Sequence, residues 1–160
     1  MEKLLHYVWM HKLLPSRTLK TTDGTEVEVM DPGQHNGNQG PDFLNARIKM
    51  GGIVWAGNVE IHTCSSDWNR HRHHTDPVYN TTILHVVEHA DAEIRTQSGQ
   101  TVPQVVVIVP QEVKDNYEEL LRTTDYPRCH KFVREIEPIK AHAWFDALLA
   151  ERMETRAKRI

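Results

Sequence analysis

Residues 40–64 have the sequence GPDFLNARIKMGGIVWAGNVEIHTC, which predicts two β-strands joined by a tight turn. Strand-forming side chains dominate 43–50 and again 53–63. Gly51 and Gly52 lie between the two runs, and a Gly-Gly pair in that position is a typical hairpin signal. The segment therefore predicts an antiparallel β-hairpin.

This hairpin brings together residues that are distant in sequence. Counting back from the turn places Asp42 opposite position 61, within reach of Glu60 and His62. Because side chains alternate along a strand, Asn58, Glu60 and His62 share one face. A buried polar face needs partners, whereas on a half-exposed sheet these residues simply face water. The hairpin register thus predicts a joint site, with a solvated sheet face as the alternative.

The rest of the chain alternates helical and strand patterns. Apolar residues at helical spacing predict an amphipathic helix over 2–14, and later patterns predict helices over 112–122 and 136–160. The other predicted elements, in chain order, are a strand at 26–30, a glycine-rich loop at 31–40, a short helix at 67–74, a strand at 81–87, and a hairpin of 93–96 with 104–109. This order predicts an α/β fold, a mixed β-sheet flanked by helices. We expect an α/β core domain over 1–135 and the start of a truncated helical region at 136–160.

Composition excludes several classes of protein. The 160 residues include no apolar run near the about 20 that a membrane helix needs, and the N-terminus lacks signal-peptide features. Cys64 and Cys129 form no C-x-x-C pair, which favours a reducing, cytoplasmic location. A net charge of −3 lacks the basic excess typical of nucleic-acid-binding proteins, although eleven histidines can shift that balance when protonated.

Asp42, Glu60 and His62 are the strongest candidates for catalysis. Two carboxylates suit Mg²⁺ or Mn²⁺, and added imidazoles shift the preference toward Mn²⁺ or Zn²⁺. In this hypothesis Asp42 and Glu60 bind the ion, while His62 orients or deprotonates the attacking water.

The predicted short helix at 67–74 contributes further histidines. On a helix, Asp67, His71 and His74 would share one face, whereas His71 and His73 share a face only in an extended segment. A solvated polar surface is the alternative to a ligand role.

Another group of histidines follows in the sequence His85-Val86-Val87-Glu88-His89, which matches the H-x-x-E-H pattern of some zinc proteases. That motif requires a helix, but 81–87 is rich in β-branched residues, so we predict that the match is accidental. On a strand, His85 can face the same side of the sheet as Glu60. The candidate metal ligands are therefore Asp42, Glu60, His71, His73 and His85.

The run from 40 to 87, with its GPDF, VEIH, SSDW and ILHVV segments, resembles the signature of an uncharacterised bacterial family catalogued as a domain of unknown function. The opening helix, an Asp-Gly strand and the loop at 32–43 are similar as well. The resemblance covers most of residues 1–160 and implies membership of a family without an established activity.

The same residues resemble, more weakly, the PD-(D/E)XK nucleases, through Pro41-Asp42 and then Glu60-x-His62 in strand–strand–helix–strand order. This resemblance implies a restriction-endonuclease-like core in which Asp42 and Glu60 bind a divalent metal. His62 would then replace the usual lysine and supply positive charge only when protonated.

Three functional hypotheses follow. The leading one is a divalent-metal-dependent, nuclease-like phosphodiester hydrolase, with nucleic acid as its partner. The second is a non-catalytic nucleic-acid-binding or protein-binding module on an enzyme-derived fold. The third is a zinc-binding protein built on the histidine cluster.

Overall fold

The computed structural model describes residues 2–14, 16, 18–124 and 136–157, and its centre is a seven-stranded mixed β-sheet. The strands are β1 (Thr18–Lys20), β2 (Glu26–Asp31), β3 (Gln34–His35), β4 (Phe43–Met50), β5 (Ile53–Cys64), β6 (Thr82–His89) and β7 (Gln104–Val106). The α-helices are α1 (Glu2–Met10), α2 (Asp67–Arg70), α3 (Gln111–Arg122) and α4 (Pro138–Ala157). Cys129 lies outside the described residues.

The sheet combines antiparallel and parallel pairing in the order β1-β2-β4-β5-β6-β7, with β3 paired to β4. The strands from β1 to β5 pair antiparallel, whereas β5, β6 and β7 run parallel. A single bridge between Thr21 and Val105 links the two ends of the sheet, which makes it nearly closed and barrel-like. The predicted α/β class, a mixed sheet flanked by helices, is confirmed.

The β4–β5 hairpin has the predicted register at its turn. Met50 pairs with Ile53, and Gly51 and Gly52 have φ angles of 57° and 84°, which favour glycine. The pairing shifts by one residue between Phe43 and Ala46, at a bulge that contains Asn45 with a φ of 58°. The hairpin and its bulge together set the position of the segment that precedes β4.

Helix α1 packs its apolar face on the sheet and ends earlier than predicted. Its buried residues are Leu4, Leu5, Val8 and Trp9. The indole of Trp9 donates a hydrogen bond of 3.0 Å to the carbonyl of Pro32. The helix ends at Met10, not at residue 14, and Lys12 follows it with a φ of 52°, a conformation that terminates helices.

Two other predicted elements differ in the structure. The helix expected over 67–74 is broken, because α2 ends at Arg70 and a 3-10 turn, His73–Thr75, follows it. The hairpin of 93–96 with 104–109 is wrong, since β7 pairs in parallel with β6. Residues before β7 instead form a local turn, in which Arg95 bridges Thr101.

The chain divides into two compact units, Met1–Asp115 and Asn116–Ile160. The first contains the whole sheet, α1 and α2. The second contains α4, a 20-residue helix. None of the helices in the described part of the chain is long and apolar enough to cross a membrane.

Candidate metal centre

Asp42 and Glu60 hold each other in place through the backbone. The amide N–H of Asp42 donates to Oε2 of Glu60 at 3.0 Å, and the amide N–H of Ile61 donates to Oδ2 of Asp42 at 2.9 Å. Glu60 is buried, and Asp42 is partly exposed at the edge of the site. The two carboxylates therefore lie side by side, as the hairpin register predicts.

His62 lies at the centre of a group of imidazoles on the same face of β5. Its Nδ1 is 2.8 Å from Nε2 of His85, and its Nε2 is 3.1 Å from Nδ1 of His71. The same Nε2 is 3.5 Å from Oε1 of Glu60. Parallel pairing of β5 with β6 explains the contact with His85, because it sets Glu60 directly beside His85.

The break after α2 brings His71 and His73 to this group. Arg72, between them, has a φ of 64°, a left-handed conformation that an arginine adopts only at a cost in free energy. As a result Nε2 of His73 lies 3.0 Å from Oε1 of Glu60, and its ring stacks on Tyr79 at 3.8 Å between centroids. A single continuous helix would not place both histidines here.

The donor atoms are spaced like ligands of one ion. One nitrogen each from His62, His71 and His73 lies within 4.8 Å of the others. Around an ion with bonds of about 2.0–2.1 Å, adjacent tetrahedral ligands lie about 3.3 Å apart. Oε1 of Glu60 lies 3.0 Å from Nε2 of His73 and 3.5 Å from Nε2 of His62, and the latter lies 3.1 Å from Nδ1 of His71. Among the described residues, Nε2 of His73 has no hydrogen-bond partner, so the ring is aimed beside the carboxylate oxygen and not at it.

Burial favours the neutral form of three of these histidines, His62, His73 and His85. Desolvation, and then the neighbouring imidazoles, lower the pKa of His62 to about 3. Burial likewise lowers the pKa of His85 to about 3, and it lowers the pKa of His73. Neutral imidazoles have a free lone pair, which is the form that binds metal ions.

The pKa of Glu60 is shifted in the opposite direction, upward. Desolvation, and then the charge of Asp42, raise the pKa of Glu60 to about 9. Without a cation, the buried carboxyl group is therefore protonated at neutral pH. A bound divalent cation reverses this preference, because it favours the charged carboxylate.

Helix α1 contributes two groups that sequence reasoning did not include. Nε2 of His6 lies 3.3 Å from Oδ2 of Asp42, and the charge of Glu2 acts on both His6 and Glu60. Burial lowers the pKa of His6, but the adjacent carboxylate of Asp42 outweighs it, so that the pKa is raised. The sequence feature that could have indicated these two residues is their i, i+4 spacing on an amphipathic helix.

The structure brings together most of the predicted site residues. Asp42, Glu60, His62, His71, His73 and His85 form one group with Tyr79 and His6. His74 and Asp67 do not join it, since His74 is exposed and Asp67 pairs with Arg70 at 2.7 Å. The H-x-x-E-H match lies on strand β6, as expected for an accidental match.

The protein has a mixed α/β sheet with a group of histidines and carboxylates, most of them buried, at one face. This group is a candidate site for a divalent metal. The chain belongs to the family described as "Protein of unknown function (DUF2851)", whose model matches residues 2–160. No curated protein and no solved structure shows a significant match to it.

Proposed function

We propose that this protein is a divalent-metal-dependent hydrolase that cleaves phosphodiesters. His62, His71 and His73 would hold the ion together with the carboxylate of Glu60. The proposal depends mainly on the convergence of these donor atoms. Nε2 of His73 lies 3.0 Å from Oε1 of Glu60, yet within the described residues it has no hydrogen-bond partner. Metal ligands have this arrangement because they point at a common ion.

The donor set also favours a particular kind of metal. Three imidazoles with one carboxylate favour Zn²⁺ or Mn²⁺ over Mg²⁺, which prefers oxygen ligands and retains its water. Such an ion supplies a Lewis acid that lowers the pKa of bound water and neutralises charge on a phosphoryl oxygen. His71 is exposed, which leaves a route for substrate and water from that side.

The neighbouring residues provide the acid–base groups. Asp42 is the more exposed of the two carboxylates, and the backbone N–H of Ile61 orients it, so it is suited to accept a proton from the attacking water. His6 lies against Asp42, and its raised pKa extends the pH range over which it is positively charged. In the nuclease pattern a lysine supplies that charge. Because His62 is buried against other imidazoles and its pKa is about 3, we assign the cationic role to His6 and a ligand role to His62.

The fold supports a phosphodiester substrate. The order of α1, the antiparallel strands β2, β4 and β5, then α2, and then β6 parallel to β5 agrees with the restriction-endonuclease-like core implied by the sequence resemblance. In that core the metal-binding carboxylates lie on or beside the central strands; Glu60 lies on β5, and Asp42 immediately precedes β4. The nucleic-acid partner is part of the same proposal.

A cleavage assay tests this function. Purified protein is stripped of metal and reloaded separately with Zn²⁺, Mn²⁺ or Mg²⁺, and incubated with plasmid DNA, single-stranded DNA, RNA and bis(p-nitrophenyl) phosphate. We expect cleavage with Zn²⁺ or Mn²⁺ that is lost in Glu60→Gln and Asp42→Asn. His74→Gln is the matched control, because it changes an exposed histidine of the same segment. Cleavage that survives both carboxylate substitutions, or none with any metal, refutes the proposal.

One observation favours a second function. His62, His71, His73 and Glu60 can fill all four positions of a tetrahedron, and closed four-ligand zinc sites are typically structural. A zinc-binding protein of this kind retains one tightly bound ion, has no hydrolytic activity and unfolds when a chelator removes the ion. The same metal-stripping series therefore separates the two functions.

A further inference from the structure

We propose that His85 and Gln104 are positioning residues, which fix the tautomer of His62 so that its Nε2 presents a lone pair to the ion. His85 is then a partner of a metal ligand and not a ligand itself. This inference rests on the proposed metal site and adds to it the polar groups that orient its central histidine.

The side chain of Gln104 is anchored at a backbone carbonyl. Nε2 of Gln104 donates a hydrogen bond of 2.8 Å to the carbonyl oxygen of Ala92. Because a carbonyl oxygen only accepts, the amide nitrogen of Gln104 must face Ala92, and its Oε1 must face the other way. The hydroxyl of Ser65 donates to that Oε1. The orientation of the Gln104 amide is therefore determined at both ends.

His85 lies between this amide and His62. Its ring is completely buried, and Nε2 faces His62, which leaves Nδ1 for the side of Gln104. Strand pairing sets Gln104 directly beside His85, and among the described residues the buried Nδ1 of His85 has no hydrogen-bond partner. In the proposed arrangement this Nδ1, on the side of Gln104, has the single proton of the neutral ring, so Nε2 has the lone pair.

The tautomer of His62 follows from that of His85. Its Nδ1 is 2.8 Å from the bare Nε2 of His85, so Nδ1 must donate. The neutral ring of His62 has one proton, which leaves Nε2 unprotonated. That nitrogen is the one facing Nδ1 of His71 at 3.1 Å and Oε1 of Glu60 at 3.5 Å. Ligating histidines usually donate their second N–H to such a partner.

The same geometry separates His85 from the ion. His85 contacts Nδ1 of His62, while the other donors gather at Nε2 on the opposite side of that ring. An ion on the Nε2 side lies beyond the reach of His85. The competing arrangement, with the ion between Nδ1 of His62 and Nε2 of His85, requires the opposite tautomer of His62.

Nitrogen NMR of the ¹⁵N-histidine-labelled full chain measures the tautomer directly, first without metal and then with one equivalent of Zn²⁺. We expect His62 to be protonated at Nδ1 in both states, and its Nε2 resonance to shift on zinc binding. The Nε2 of His85 should shift little. Assignment uses the His62→Gln and His85→Gln variants.

Zinc affinity, measured by competition with a chelator, provides the second readout. His85→Gln retains an acceptor oxygen for the N–H of His62, so its affinity should stay close to that of wild type. His85→Leu and Gln104→Leu should bind zinc about 10–100-fold more weakly, the usual effect of losing such a partner. Circular dichroism verifies folding, and His85→Phe replaces His85→Leu if the latter does not fold.

The outcomes are distinguishable. Zinc binding with His62 protonated at Nε2, or loss of zinc in His85→Gln equal to that in His62→Gln, overturns the positioning role and leaves the proposed function standing. The predicted tautomer in a protein that binds no zinc supports the positioning of His62 and refutes the metal-dependent function.

Discussion

The two ends of strand β5 show opposite burial. At the start of the strand, Ile53, Val54 and Trp55 are 62%, 48% and 42% exposed, although all three are apolar. At the other end, Glu60 and His62 are 4% and 2% exposed, although both are ionisable. One continuous strand therefore exposes apolar residues at its start and buries ionisable residues near its end.

Neighbouring elements explain this inversion. Pairing of β5 with β6 begins only at Asn58, so within the described residues the first half of β5 pairs with β4 alone. The second half is covered by β6 and lies beside His6 of α1 and the segment that follows α2. Exposed apolar residues cost a protein little, whereas buried ionisable groups are expensive unless they bind something. The buried end of the strand is therefore the end that indicates a binding site.

The largest difference between the two ends should appear on removal of a ligand. His62→Ala deletes the central nitrogen of the site, and we expect zinc affinity to fall by more than the about 100-fold that loss of an outer partner costs. Trp55→Ala, at the other end of the strand, should leave zinc affinity unchanged. Chelator competition measures both. Equal affinities for wild type and His62→Ala would show that the ion does not bind at this end.

Acid sensitivity of the metal-free protein should be the next largest effect. The pKa of His62 and that of His85 are lowered from 6.5 to about 3 in the folded state. Between these values the unfolded chain binds more protons, so the free energy of unfolding falls as pH decreases from 6.5. Urea unfolding of Glu60→Gln at pH 8, 7, 6 and 5 measures this loss without the opposing contribution of Glu60, and the added substitution His62→Gln should reduce it. A midpoint that stays constant down to pH 5 contradicts the burial of neutral rings.

Titration of Glu60 should lower the free energy of unfolding of the metal-free protein as pH rises, opposite to the effect of the histidines. Its pKa is raised from 4.5 to about 9, so the folded state retains a proton that the unfolded state loses. This contribution is complete below pH 4.5 and is lost as pH rises through 9. Metal-free Glu60→Gln should therefore gain stability relative to wild type as pH increases from 5 to 9, seen as a growing difference in Tm. Excess zinc should reverse the order, because only the carboxylate binds it well. A Tm difference independent of pH would refute the raised pKa.

The smallest effect is expected at the exposed end. Trp55→Thr replaces a partly exposed apolar side chain with another strand-forming residue, and the free energy of unfolding should change by no more than about 0.5 kcal/mol. Denaturant unfolding checks this value. A much larger loss would mean that a partner covers this end in solution, and the contrast between the two ends would then weaken.

Much of the fold and part of the site follow from local sequence signals. Gly51 and Gly52 specify the turn, the turn specifies the register, and the register brings Asp42 to Glu60. Strand β6 was equally predictable from its β-branched residues, which also revealed the H-x-x-E-H match as accidental. The failed hairpin of 93–96 with 104–109 shows the limit, because turn residues between two apolar runs do not reveal that β7 pairs with β6 instead.

The remaining site residues depended on contacts between distant segments. His71 and His73 converge because Arg72 adopts a left-handed conformation, for which an arginine gives no sequence signal. His6 lies on α1 and Gln104 on β7, which are far apart in the sequence.

The sequence by itself therefore determined the hairpin, the mixed α/β class and the pairing of Asp42 with Glu60, because these depend on backbone preferences within a few residues of a turn. Only the tertiary structure decided which histidines surround Glu60 and which remain exposed. The physical reason is that burial, and with it the neutral imidazoles and the protonated carboxyl group, depends on which distant strands and helices cover the end of β5.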